Sequence, residues 1–429
     1  MNILMLTNTF TPHVGGVARS VESFTAEYRR RGHRVLIVAP EFPGMPEQEV
    51  DVVRINAIRN FNDTGFSVAL PMHPPLGDRV DAFGPDIVHA HHPFLLGVTA
   101  LRIARHRRLP LVFTHHTLYE QYTHYLPGDS PALKRFAIEL ATRYANLADQ
   151  VFAPSESIRD LLRRRGVTAP VAVVPTGVRP EHFAAGDGPG FRRQAGIPEG
   201  ACVVGHLGRL APEKNLEFLA GAVAQFMRGN SDAHFLVIGS GPCESAIREL
   251  FDRAGLAERL HVAGVLQRQQ LADALHAMDV FAFASTSETQ GMVLTEAMAA
   301  GLPVVALDAP GAREVVNDTV NGRLLAQATP AAFAAALRWV AERTADQRHA
   351  LRQAALATAE AFSMPRTADT ALACYEALAA GPHPDASSDA IRWEDVRNFL
   401  RTEWEILKSV ARASDAALGT SLFSYAEES

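Results

Sequence analysis

Residues 3–39 read ILMLTNTFTPHVGGVARSVESFTAEYRRRGHRVLIVA, and this stretch decides the fold class. Ile3 to Thr7 is an apolar run of strand length. A loop carrying Gly15 and Gly16 follows, then a helical pattern from Val17 to Arg31 that stops at Gly32, then a second apolar run from His33 to Ala39. Short apolar runs without alternation suit strands buried on both faces, the habit of parallel sheets covered by helices. Runs at Pro85 to Ala90, Pro110 to Thr114, Gln150 to Ala153 and Val171 to Val174, with helix-length segments between them, extend one doubly wound sheet. The pattern restarts at Cys202 to Leu207 and continues through His234 to Ile238, His261 to Val262, Val280 to Phe283 and Val304 to Ala306.

The expected architecture is therefore α/β, two tandem Rossmann-like domains with a C-terminal helical extension. The expected boundaries are 1–182 and 183–365, joined near the Gly-, Pro- and Asp-rich stretch from Arg179 to Gly190. A helix over 366–380 crosses back towards the first domain. Residues 381–429 form a linker, GPHPDASSD at its start, and an amphipathic helix in which Ile391, Val396, Phe399, Leu400, Trp404, Leu407 and Val410 recur at helical spacing. Open parallel sheets bind ligands at the carboxyl ends of their strands, so two such domains are expected to face each other across a ligand cleft.

Composition narrows the class. The chain has 429 residues, 47% of them hydrophobic and 21% charged, which excludes disorder and fits two cores better than one. Cys202, Cys243 and Cys374 are three, odd in number and far apart, which excludes a disulfide scaffold. No apolar run approaches the ~20 residues of a membrane span. The opening Met-Asn-Ile-Leu-Met-Leu lacks the pattern of a secretory signal, so a cytoplasmic protein is expected. The net charge is −6, but residues 1–180 hold 20 Lys/Arg against 16 Asp/Glu, leaving the excess of acid to the second half. A basic N-terminal half suits an anionic surface, phospholipid headgroups or nucleic acid alike, while the counts by themselves favour the plainer reading of an uneven, solvated surface.

The chemistry-bearing segment is Ser285 to Ala306, STSETQGMVLTEAMAAGLPVVA. It follows a strand, placing Glu288 in a strand-to-helix loop and Glu296 about two turns into the helix that Gly291 and Met292 begin. Free N–H groups at that helix start suit phosphate or sugar oxygens, and carboxylates on either side can accept hydrogen bonds from hydroxyl pairs, as on a ribose and a hexose. Arg209 and Lys214, after the first strand of the second domain, can neutralise a pyrophosphate by bidentate and point-charge contact. Gly16 lets a backbone approach a phosphate closely. His89, His91, His92, His115, His116 and His124 crowd the first half, and several follow parallel strands at the functional edge of the sheet.

The paired glutamates in a loop continuing EAMAAGLPVVA resemble the signature of retaining glycosyltransferases of family 4, which have the two-domain GT-B fold. Gly15-Gly16 in the first loop, GRLAPEKN at Gly208 to Asn215, and Gly239-Ser240-Gly241-Pro242 agree in order and spacing, and together these motifs cover residues 1 to about 380. The resemblance implies an acceptor-side first domain and a nucleotide-sugar-binding second domain. It implies that Arg209 and Lys214 hold the diphosphate and stabilise its departure, that Glu296 binds the ribose, and that Glu288 binds the transferred sugar with the N–H groups of Gly291, Met292 and Val293. Gly15, Gly16 and Gly241 are expected to contact the donor, and His116 to lie near the donor sugar, with His115 one position away. No Asp-x-Asp motif is present and two cations can replace a metal, so no metal or cofactor is expected and the nucleotide-sugar is a substrate.

The wording of TNTFTP through GGVA, of HTLYEQY with His124-Tyr125, and of TSETQGM is closest to bacterial diacylglycerol α-glucosyltransferases and related α-mannosyltransferases. That resemblance implies UDP-glucose as donor, a lipid acceptor on an anionic membrane surface rather than nucleic acid, and an α-glycoside product, with GDP-mannose or a soluble acceptor as alternatives. Leu96 to Arg108 reads either as a basic amphipathic helix lying on lipid or as a crossover helix with arginines at its carboxyl end. The extension carrying Trp393 and Trp404 docks back, forms a homodimer contact or anchors at a membrane. A sugar-nucleotide epimerase shares the two-domain plan, but the paired-glutamate loop argues against it. A histidine-metal hydrolase and a non-catalytic sensor are the remaining rivals.

Overall fold

The structure is a computed structural model, and it describes residues 1–13, 15–58, 68–69, 75–121 and 130–381. The chain divides into two compact units, Met1–Thr176 with Thr367–Ser429, and Gly177–Arg366. His124, the sequence around Tyr122 and Tyr125, and the helix expected from Ile391 to Val410 lie outside the described residues.

The first unit runs β1 (Asn2–Leu6), α1 (Gly16–Arg30), β2 (Arg34–Pro40), β3 (Val52–Ile55), β4 (Ala57–Ile58), β5 (Val68–Ala69), α2 (Pro75–Phe83), β6 (Ile87–Ala90), α3 (Leu96–Arg107), β7 (Leu111–Thr114), α4 (Pro131–Leu147), β8 (Gln150–Ala153), α5 (Glu156–Arg164) and β9 (Val171–Val173). Its seven-stranded sheet has the order β3-β2-β1-β6-β7-β8-β9, every pair parallel. The order reverses between β1 and β6, and such a switch point opens a crevice beyond the strand ends.

The second unit runs α6 (Gly188–Ala195), β10 (Cys202–Leu207), α7 (Leu216–Arg228), β11 (Ala233–Ile238), α8 (Glu244–Arg253), β12 (Leu260–Val262), α9 (Gln269–His276), β13 (Val280–Phe283), α10 (Met292–Ala299), β14 (Val304–Leu307), β15 (Gly322–Leu325), α11 (Pro330–Ala341) and α12 (Ala345–Ala361). Its sheet order is β12-β11-β10-β13-β14-β15, again all parallel, with the switch between β10 and β13. Val203, Leu236, Ile238, Phe281 and Phe283 join one apolar cluster while Val204, Phe235, Val237, Val280 and Ala282 join another. Successive residues thus feed cores on opposite faces, which is why these strands read as unbroken apolar runs.

Besides the short pair β4 and β5, which form a two-stranded sheet of their own, two strands were not legible in the sequence, β3 and β15, and both are outermost in their sheets. An edge strand has one neighbour and leaves room beside it for polar partners, so Arg54 in β3, bonded to Glu49 and to the Pro40 and Thr11 carbonyls, and Arg323 in β15, paired with Asp318, are tolerated and the apolar run breaks up. The last described helix, α13 (Met364–Ala379), belongs to the first unit from Thr367 onward. Its Tyr375 is fully buried, stacked on Phe152 at 5.8 Å between ring centroids and edge-on to Tyr28 at 5.7 Å. Arg31, the residue that closes α1, pairs with Asp369 of this helix and with buried Glu27. Burial alone would raise the Glu27 carboxyl, but the hydrogen bonds and charges of Arg30 and Arg31 prevail and bring it down to about 2.

Candidate active site

In the second unit the loops that follow β10 and β13 meet at the switch point and are tied to each other. Lys214 Nζ donates to Glu288 Oε1 at 2.5 Å, and both side chains are 17% exposed. The Ser287 hydroxyl donates to the Glu213 carbonyl at 2.9 Å, and Asn215 Nδ2 to the Ala284 carbonyl at 3.2 Å. Arg209 is half exposed and its Nη2 bonds Glu213 Oε1. Lys214 is therefore not a solvated lysine at a helix start. Each of the two cations expected to hold a diphosphate rests against a carboxylate, Arg209 on Glu213 and Lys214 on Glu288.

Glycine shapes the same region. Gly241 has φ +154, and a Cβ there would stand 2.4 Å from the Leu210 carbonyl oxygen, so the loop after β11 packs backbone to backbone against the loop bearing Arg209. Gly241→Ala is accordingly expected to destabilise the second unit by about 1–3 kcal/mol, read as a lowered thermal midpoint. A nucleotide Kd weakened at an unchanged midpoint would instead show that Gly241 serves the ligand alone. Gly311, with φ +86, is pressed on the other side: its Cβ would lie 2.7 Å from Glu288 Cβ.

Helix α10 starts on Gly291 at φ 71, with no side chain capping its first N–H groups. Met292 and Val293 are its first two residues, so Glu296 stands about one turn into the helix and not the expected two. Glu296 is 7% exposed and so is not a surface carboxylate.

The first unit repeats the design. The loop after β1 is fastened to the loop after β6 by Asn8, whose N–H donates to His92 Nδ1 at 3.1 Å and whose side chain binds Phe94 O and Leu96 N, each at 3.1 Å. Gly15 is extended and precedes α1 without capping it by a side chain, and Gly16 is exposed as the first helical residue. His89, His91, His115 and His116 lie at the carboxyl ends of neighbouring β6 and β7. His89 shares hydrogen bonds with the Tyr375 hydroxyl at Nδ1 (2.6 Å) and with Thr114 Oγ1 at Nε2 (2.7 Å). His91 Nδ1 lies 2.9 Å from His116 Nε2. His115 is 1% exposed and neither of its ring nitrogens is hydrogen-bonded, whereas His116 is partly accessible. Burial pushes His89, His92 and His115 down to about 3, helped at His115 by Arg165. Burial and then the neighbouring histidines hold His91 and His116 well below the ordinary imidazole value. Among the described residues no three His, Cys, Asp or Glu side chains converge as a metal-binding group.

Of the two readings of Leu96 to Arg108, the crossover helix with arginines at its carboxyl end is the one the structure bears out. The segment from Leu96 to Arg108 is not a lipid-facing amphipathic helix. In α3, Leu96, Ala100, Leu101, Ile103 and Ala104 are all buried in the core of the first unit. Its arginines cap and tether it: Arg105 donates to the Leu147 carbonyl at 2.6 Å and Arg107 pairs with Asp81 at 2.8 Å. The apolar stripe was real, but it faces the sheet. No helix among the described residues is long and apolar enough to cross a membrane.

Sequence reasoning missed Glu213, His91 as the partner of His116, and Gly311. Glu213 was written inside the GRLAPEKN motif beside Lys214, and its position one turn after Arg209 was the available signal.

Known proteins bear on the same geometry. The profile described as Glycosyltransferase Family 4 matches residues 14–182, and that described as Glycosyl transferases group 1 matches residues 189–358. The chain is 30% identical to an alpha-monoglucosyldiacylglycerol synthase of Streptococcus pneumoniae over 76% of its own length and 75% of that protein's. It is 33% identical to a GDP-mannose-dependent alpha-mannosyltransferase of Mycolicibacterium smegmatis, over 76% of this chain and 84% of the relative. Among solved structures it resembles HepE of Anabaena in complex with UDP, with a TM-score of 0.70 at 22% identity, covering 88% of this chain and all of that one.

Proposed function

Because this chain belongs to glycosyltransferase family 4 and is a retaining hexosyltransferase of the GT-B fold, we propose that it transfers glucose from UDP-glucose to diacylglycerol at an anionic membrane surface, forming an α-glucoside. The observation that carries the reading is the Lys214–Glu288 contact at 2.5 Å, which joins a phosphate-class cation to a sugar-class carboxylate at the switch point of the second sheet. Arg209 and Lys214 take the charge of the donor diphosphate in place of a metal. Buried Glu296 accepts from the ribose hydroxyls, and Glu288, with the uncapped N–H groups at Gly291, Met292 and Val293, holds the sugar. Gly15 and Gly16 leave room for the diphosphate at the start of α1, and His116 serves the donor sugar's primary hydroxyl, a role its partial exposure suits better than that of sealed His115.

The bond from the anomeric carbon to the β-phosphate oxygen breaks while the acceptor hydroxyl oxygen attacks from the same face. The acceptor proton passes to the leaving phosphate oxygen, and the two cations stabilise the charge that develops there. The diacylglycerol acceptor is supported by the name of the pneumococcal relative, and the UDP donor by the nucleotide in the Anabaena structure. The similarity to the mycobacterial mannosyltransferase favours a second reading, GDP-mannose as donor.

The test is a panel of UDP- and GDP-sugars with vesicles containing diacylglycerol and anionic phospholipid, products being read by mass and anomeric configuration. UDP-glucose is expected to give α-glucosyldiacylglycerol at the highest rate. Mannosylated lipid from GDP-mannose alone selects the second reading, and donors that bind while no lipid is glycosylated sink the acceptor assignment.

A further inference from the structure

His91 and His116 follow neighbouring strands of the first sheet and share one hydrogen bond, Nδ1 of the former to Nε2 of the latter at 2.9 Å. The ring planes lie within 22° and the centroids 5.2 Å apart, as expected of an in-plane bond joining two five-membered rings end to end. Only one proton can sit between the two nitrogens. Two N–H groups would collide, and two lone pairs would repel each other. The geometry by itself does not say which ring supplies it.

The rest of His91 does. Its Nε2 is buried and makes no hydrogen bond. A neutral imidazole has one donor and one acceptor. With the proton on Nε2, His91 would leave its only donor stranded in the interior, and a stranded buried N–H loses its hydration with nothing in return. With the proton on Nδ1 that donor is used and only a lone pair goes unmatched. A doubly protonated His91 is opposed by burial and by the rings of His89, His116 and His92. The His89 ring, 4.2 Å away between centroids and held between Tyr375 and Thr114, keeps His91 in this orientation.

We infer that His91 is a positioning residue that donates its Nδ1–H to His116 Nε2 and so fixes His116 as the tautomer that carries its proton on Nδ1. The inference rests on the reading of His116 as the histidine at the donor sugar. It adds that His116 serves that sugar as a hydrogen-bond donor through Nδ1, and that its Nε2 lone pair is already engaged and takes no proton from the acceptor.

Nitrogen-15 NMR of the full chain labelled at histidine tests the tautomer without reference to activity. At neutral pH, His116 is expected to show a pyrrole-type Nδ1 and a pyridine-type Nε2, with the pattern lost in His91→Leu. A pyrrole-type Nε2 on His116 overturns the inference. The kinetic arm uses UDP-glucose and diacylglycerol vesicles, or GDP-mannose if that donor is the one turned over. His91→Leu is expected to lower kcat about tenfold or more with little change in donor KM, while His91→Asn, whose amide can donate to the same nitrogen, recovers most of it. Equal losses in both variants overturn the positioning role. Unchanged turnover in His116→Ala, with the tautomer found as expected, overturns the assignment of His116 to the sugar and leaves the proton assignment standing.

Discussion

Turnover is expected to fall about 10²–10³-fold when Lys214 is replaced by alanine. In the proposed mechanism the ammonium is one of two charges set against the departing diphosphate, whose charge builds up most in the transition state, so the loss should appear in kcat more than in KM. Lys214→Arg is expected to recover only part of it, because a planar guanidinium cannot occupy the position of a compact ammonium bonded to Glu288 at 2.5 Å. Glu288→Ala should be comparably damaging, and the double variant should cost far less than the product of the two, since each single change strands the other's charge in a site only 17% exposed. Single-turnover kinetics with UDP-glucose, or with GDP-mannose if that is the donor used, separate these effects. Intact turnover in Glu288→Ala would remove the site assignment altogether.

Acid is expected to unfold the first unit before the second. His89, His92 and His115 are held neutral by burial, with folded values of about 3, against about 6.5 in an unfolded chain. Below about pH 6.5 the unfolded chain binds protons that the folded one refuses, so stability is full above that pH and falls as pH drops towards 3. Each such histidine contributes a slope of at most ~1.4 kcal/mol per pH unit. His91 and His116 add to the slope in the same direction, the partly accessible His116 less so. In the second unit His206 is the comparable group, lowered to about 4 by burial, while His234 and His261 are less deeply set. Hydrogen exchange between pH 7 and 5 should therefore show protection lost first across β6 and β7. Uniform loss over both units, or none, would contradict this account.

The strands buried on both faces were legible because each wrote itself as an apolar run, and the glutamate loop because its residues are contiguous. What the sequence could not carry was adjacency. Lys214 and Glu288 are far apart along the chain, and their bond exists because β10 lies beside β13. The partnership of His91 and His116 likewise depends on β6 lying beside β7, although both histidine pairs stood out beforehand. Helix α3 shows the opposite limit: periodicity revealed an apolar stripe with arginines alongside, but the direction in which a stripe faces is a property of packing. Glu213 was passed over because a carboxylate next to a lysine reads as surface until the Ser287 hydroxyl is seen to draw its backbone inward.

The cross-tied loops of the second unit also bear on how donor preference can change over time. Residues 208–215 and 284–291 hold each other through Lys214, Asn215 and Ser287, so neither can drift freely while the other stays fixed. Under the proposed function, donor recognition is therefore inherited as a matched pair. A chimaera that imports one loop from a relative receives half of a lock, and recombination that succeeds should be found to have moved both.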